Sequence, residues 1–208
     1  MPFLGLFIAV VCLFTFFRKR SNRSQENVTD RFWKRESIAN NTRLQDLSGL
    51  PYITIPFDKF PIGMYENDLL KNYENTLQTL SGKKIVNFGT QTNTDLKITY
   101  GTASLPALTE YEQNFTTLCQ TLTAYAGQLF KLGHTDDART ILEYGISIGS
   151  DLSQNYLLLA KIYQSSGETG RIRELLASAE QLDSLMKRSI VEKLTAMLPE
   201  DTANTPVQ

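Results

Sequence analysis

The chain is poor in the residues that carry chemistry: it holds one histidine, one tryptophan and two cysteines among 208 residues. No Cys-x-x-Cys, His-x-x-x-His or phosphate-loop pattern occurs, which removes the commonest zinc, redox and nucleotide signatures. The lone His134 stands beside Asp136 and Asp137, where a turn gives way to a helix start that favours negative charge. It reads as a turn residue, not a catalytic or metal-binding one. Gly145-Ile146-Ser147-Ile148-Gly149 has the Gly-x-Ser-x-Gly form but falls late in a helical pattern, without the strand-to-helix elbow a nucleophile needs. Cys12 lies in an apolar run and Cys119 in a helical pattern, so no disulfide is expected and no oxidising compartment is implied. A net charge of −1 provides no global nucleic-acid signature. No catalytic, metal-binding or cofactor-binding residue is expected, and the chain reads as a binding module, not an enzyme.

Charge is also absent locally. Pro2 to Phe17 is sixteen residues without a charged side chain. As a helix it would span about 24 Å, somewhat short of a ~30 Å hydrocarbon core, a gap that snorkelling Arg18, Lys19 and Arg20 can close. A cleaved signal peptide lacks its basic leader and its Ala-x-Ala-like site here, and Val11 before Cys12 disfavours a lipoprotein. An uncleaved transmembrane anchor over 2–17 is therefore expected. Residues 18–43 carry eight basic and three acidic side chains, a net of +5, whereas residues 44–208 carry a net of −6. A basic collar following the span places the body in the cytoplasm by the positive-inside rule, in a single-pass protein of the cell membrane. The three Asn-x-Thr sequons are then chance matches.

Residues 18–49 form a basic juxtamembrane segment and linker. Within it, Arg31 to Asn41 is either a helix lying on the membrane surface, with Phe32 and Trp33 at headgroup level, or a solvated, partly helical linker. Residues 50–106 read as a mixed α/extended region. Pro51 and Pro56 bracket an extended stretch, for which Lys84 to Phe88 is a candidate strand partner. Asn67 caps a helix that Gly82 ends. Leu96, Ile98 and Tyr100 alternate like a strand, yet Asn93 and Gly101 look like helix caps, and both readings stand.

Residues 107–198 form a repeat region with a capping helix, and within it about a third of the chain repeats itself. Ala126 and Ala160, Gly133 and Gly167, Leu142 and Leu176, Gly145 and Ala179, and Leu129 and Tyr163 are each 34 apart. Small residues at a fixed period are what closely approaching antiparallel helices need at their crossings. The pattern resembles the tetratricopeptide repeat, with one hairpin over about 119–152 and a second over 153–183. Ala138 matches the family's small residue and Ile172 departs from it. An amphipathic helix over 184–198 would cap the open apolar end, and residues 199–208 read as a disordered tail. The expected fold is mainly α: two tetratricopeptide-like hairpins plus a capping helix, a mixed and partly extended middle region, and an N-terminal transmembrane helix. The organisation looks like a group of membrane-anchored repeat proteins from Gram-positive bacteria, a resemblance that implies no activity.

In such repeats the first helices line a concave face. The resemblance therefore implies a partner-binding groove of Gln120, Thr123, Gly127, Phe130 and Lys131, joined by Gln154, Leu157, Lys161 and Gln164. Repeats that grip a terminal carboxylate use Lys and Asn at places mostly occupied here by Thr, Leu, Gly and Gln, so that activity is not implied. The expected function is a membrane-anchored scaffold that binds a peptide or protein partner. The alternative is a structural subunit of a membrane complex in which the groove is incidental. No nucleic acid is expected as a partner.

Overall fold

The computed structural model describes residues 29–198, together with Phe7. The anchor expected over 2–17 (Phe7 apart), residues 18–28 and the tail lie outside the described residues. Among the described residues no helix is long and apolar enough to cross a membrane, and none forms a strand. The described chain is mainly helical. It divides into two compact units, one of the described residues up to 47 with 92–105 and one of residues 48–91 with those from 106 on.

The first unit joins α1, helical over 29–41, to α3, Asn93–Tyr100. The question left open over 93–101 is decided by Thr92-Asn93-Thr94-Asp95. The Thr92 hydroxyl accepts from the Asp95 N–H, and the Asp95 carboxylate accepts from the Thr92 N–H, a reciprocal cap that satisfies two orphan donors. The cap is Thr92, not Asn93. A helix start of this kind outweighs three alternating apolar residues. Glu36 on α1 holds Lys97 and Thr94 on α3, and Arg35 pairs with Asp95. The Gln45 N–H reaches the Tyr100 carbonyl at 3.1 Å. Gly101 turns with φ +85°, and a Cβ there would lie 2.7 Å from the Arg43 carbonyl oxygen, so only glycine permits this approach. Ala39 and Leu96 are fully buried.

In the second unit, residues 52–55 and 84–88 do not form the strand pair considered above. The Ile53 N–H donates to the Ile85 carbonyl at 2.9 Å, but the ladder goes no further. Pro51 and Pro56 cannot donate, and the partner segment is taken up by α4 (Leu105–Lys131): the Asn114 amide donates to the Lys84 carbonyl and the Val86 N–H to the Tyr111 carbonyl. Helix α2, Asp68–Ser81, starts as expected at Asn67, whose side chain accepts from the Leu69 and Leu70 N–H groups, and closes at Gly82. Its inner face holds Leu70, Leu77 and Leu80, with Glu74 buried among them.

The remaining helices follow a strict offset. α4 turns into α5 (Thr135–Ser147), α6 (Ser153–Ser165) into α7 (Thr169–Glu180), and α8 (Lys187–Thr195) begins 34 residues after α6. The two turns have one geometry. Gly133 and Gly167 adopt φ +90° and +72°, the His134 N–H donates to the Leu129 carbonyl, and the Glu168 N–H donates to the Tyr163 carbonyl. Each is the six-to-one bond that ends a helix on a left-handed glycine. α6 packs on α5, α7 and α8, and Ala160 in its centre is fully buried. Ala126, Ala138, Ala179 and Ile172 are buried as well, so the larger Ile172 is accommodated where its offset twin is alanine.

Candidate partner-binding surface

The last turns of α4 and the whole of α6 carry the nine residues expected on a binding face, four of them paired at the 34-residue offset with four others. Gln120, Lys131, Gln154, Lys161 and Gln164 are exposed. Gly127, Phe130 and Leu157 are half-buried, and the last two pack against the core. The Lys161 ammonium stands 5.5 Å from the centre of the Phe130 ring, a cation–π contact that ties the end of α4 to α6. A Cβ on Gly127 would sit 3.9 Å from Leu158 Cδ2, an ordinary contact. This part of the surface offers two ammonium groups, side-chain amides and the edges of two apolar residues.

Two of the nine are engaged elsewhere. Thr123 is buried: its hydroxyl donates to the Cys119 carbonyl at 2.8 Å and lies 3.4 Å from Asn155 Oδ1. The Gln164 amide donates to the Met197 carbonyl at 3.3 Å, so residues just beyond α8 cover that end of the face.

Asn155 explains much of the crossing between α4, α5 and α6. It is fully buried, and its amide donates to the Leu142 carbonyl at 3.2 Å. A Cβ at position 145 would lie 2.9 Å from Asn155 Nδ2, which is why glycine stands there. Gly149 has φ +85° and ends the same stretch against Asn87, whose amide donates to the Ile148 and Gly149 carbonyls. Both glycines of the Gly-x-Ser-x-Gly form therefore have structural causes, and the Ser147 hydroxyl donates to the Tyr144 carbonyl.

A charged cluster, only partly signalled by local spacing, lies across α5, α6 and α7. Arg139 reaches Glu143 and, with two nitrogens, Glu168; Arg171 reaches Glu143 and Glu174. Both guanidinium groups stand over the Tyr163 ring, at 5.0 and 5.5 Å, and the Tyr163 hydroxyl donates to Glu143 at 2.7 Å. Burial works to raise the Glu143 carboxyl, but hydrogen bonds from Tyr163 and Arg139 outweigh it and hold the group below its ordinary value. Burial, followed by the bond to Glu143, pushes the Tyr163 phenol up to about 12. The cluster borders a cleft of about 200 Å³. The Arg139–Glu143 spacing of four and the Arg171–Glu174 spacing of three are visible in the sequence; the contacts that join these two pairs and Tyr163 span 20 to 29 residues.

His134 stacks on Tyr65 with ring centres 3.6 Å apart, and the Tyr65 hydroxyl donates to Asp137 at 2.5 Å. This anchors the loop before α2 to the first turn. Cys119 is buried, which pushes its thiol up to about 12, unsuited to nucleophilic work. No family model, curated protein or solved structure matches the chain.

Proposed function

We propose that this chain is a membrane-anchored scaffold of the tetratricopeptide type, a binding protein and not an enzyme, whose face on α4 and α6 takes a peptide or partner protein. The observation that carries the reading is the recurrence, 34 residues apart, of the same glycine turn with the same six-to-one hydrogen bond. α8 extends that offset by one further first helix, so the groove is short and its binding modest. The ammonium groups of Lys131 and Lys161, beside the edges of Phe130 and Leu157, suit a segment that alternates apolar with acidic side chains. The apolar run at 2–17 and the basic collar after it support a single-pass anchor with the body in the cytoplasm.

The second reading, a fixed structural subunit of a membrane complex, is favoured by one contact. Gln164 is already bonded to Met197, so the chain's own C-terminal part fills one end of the face. The double substitution Phe130→Ala and Lys161→Ala separates the two. The scaffold reading expects at least a tenfold weaker capture of the partner, about 1.4 kcal/mol or more, with only the modest fall in thermal midpoint that losing a half-buried ring and its cation–π contact brings. A large fall in the midpoint would make these residues core and remove the groove.

A further inference from the structure

We infer that α1 seats the rings of Phe32 and Trp33 in the headgroup layer of an anionic bilayer. The inference rests on the anchor proposed above. It adds a second, separately testable membrane contact made by the described part of the chain. Arg31-Phe32-Trp33-Lys34-Arg35 places two aromatic rings among three basic residues within α1. Phe32 is 53% exposed and Trp33 62%, and their rings meet edge to face at 5.4 Å. Further along the helix the side chains behave differently: Glu36 holds Lys97 on α3 while Ala39 is fully buried. α1 is thus fastened to α3 through Arg35 and Glu36, and the aromatic pair precedes them in the chain, nearer the apolar run.

An exposed, edge-to-face Phe–Trp pair leaves a large apolar surface in water, and an interface rich in headgroups is where such rings gain most, the indole N–H keeping a polar partner. The occupant is identified by charge. Residues 18–43 carry a net of +5, which anionic lipid attracts and a neutral surface does not. Only residues 18–31 separate the apolar run from Phe32, so an anchored chain meets the bilayer at high effective concentration. Asp30 and Glu36 are the acidic groups of the described helix; Glu36 is paired with Lys97 and Arg35 with Asp95, so the attraction to anionic lipid falls to the rest of the basic collar.

Trp33 is the only tryptophan, so its emission reports this contact alone. The full chain is reconstituted into phosphatidylcholine vesicles with and without phosphatidylglycerol, and flotation is measured beside fluorescence. With phosphatidylglycerol, Trp33 emission is expected to shift to the blue, to be quenched by lipids brominated near the headgroup, and to lose about half or more of its quenching by acrylamide. Substituting Phe32→Ala and Lys34→Glu together should abolish the shift and leave flotation unchanged. If the chain floats while Trp33 stays fully open to acrylamide with either lipid, the aromatic contact is overturned and the anchor stands. A chain that floats with neither lipid overturns the anchor, and with it this inference.

Discussion

Replacing Tyr125 by alanine is expected to lower the unfolding free energy by about 3–5 kcal/mol, the usual range for a buried aromatic truncated to a methyl group. Tyr125 is fully buried, and its hydroxyl lies 2.9 Å from Glu74 Oε1 and 3.3 Å from the Pro61 carbonyl oxygen. The other Glu74 oxygen accepts from the Gly63 N–H at 3.2 Å. One side chain on α4 therefore fastens both α2 and the loop before it, and losing it leaves a carboxylate that is 7% exposed with a single partner. Tyr125→Phe keeps the ring and isolates the polar part, for which about 1–3 kcal/mol is expected. Burial, then the bond to Glu74, drives the Tyr125 phenol well above its ordinary value, as a hydroxyl donating to a buried carboxylate should be. Chemical denaturation followed by far-ultraviolet dichroism measures both variants. A loss below about 1 kcal/mol for the alanine variant would mean that Tyr125 does not join these elements.

The second large effect is expected at Ala160. α6 is enclosed by α5, α7 and α8, and Asn155 links it to α4 through Thr123. A leucine at the fully buried Ala160 has no space, and overpacking of this kind costs about 1–3 kcal/mol or more. Ala177→Leu makes the same chemical change on an exposed position of α7 and should stay within about 0.5 kcal/mol of the parent. Thermal unfolding of the pair is decisive. Equal midpoints would place Ala160 outside a helix crossing and break the 34-residue register.

Much of the helical frame was legible because it depends on short-range rules. Asn67 and Gly82 bound α2, and Gly133 and Gly167 mark the two turns, since each does a job that few other residues can do locally. Thr92 and Asp95 carry the capping box in plain view, three residues apart, and that spacing resolves the stretch which the apolar alternation leaves ambiguous. What the sequence does not reveal depends on distance along the chain. Gly145 is required by an asparagine ten residues away, on the next helix. The clasp of α1 on α3 is made by charges about 60 residues apart, with no periodicity to announce it. The candidate face divides in the same way. Helix phase alone places Gln120, Gln154 and Lys161 at the surface, whereas Thr123 shares that phase and is buried because α6 supplies Asn155 at the same level.

The central claim, that the face formed by α4 and α6 receives a partner, is tested most directly by crosslinking from within it. A photoreactive residue is placed at Gln154 in the full chain, in its own membrane, with a matched one at Arg173; both positions are exposed, and they lie on α6 and α7 respectively. Adducts with a partner are expected from position 154 and none from position 173. Equal adducts from both positions, or none from 154 in a chain that remains folded and membrane-bound, would contradict it.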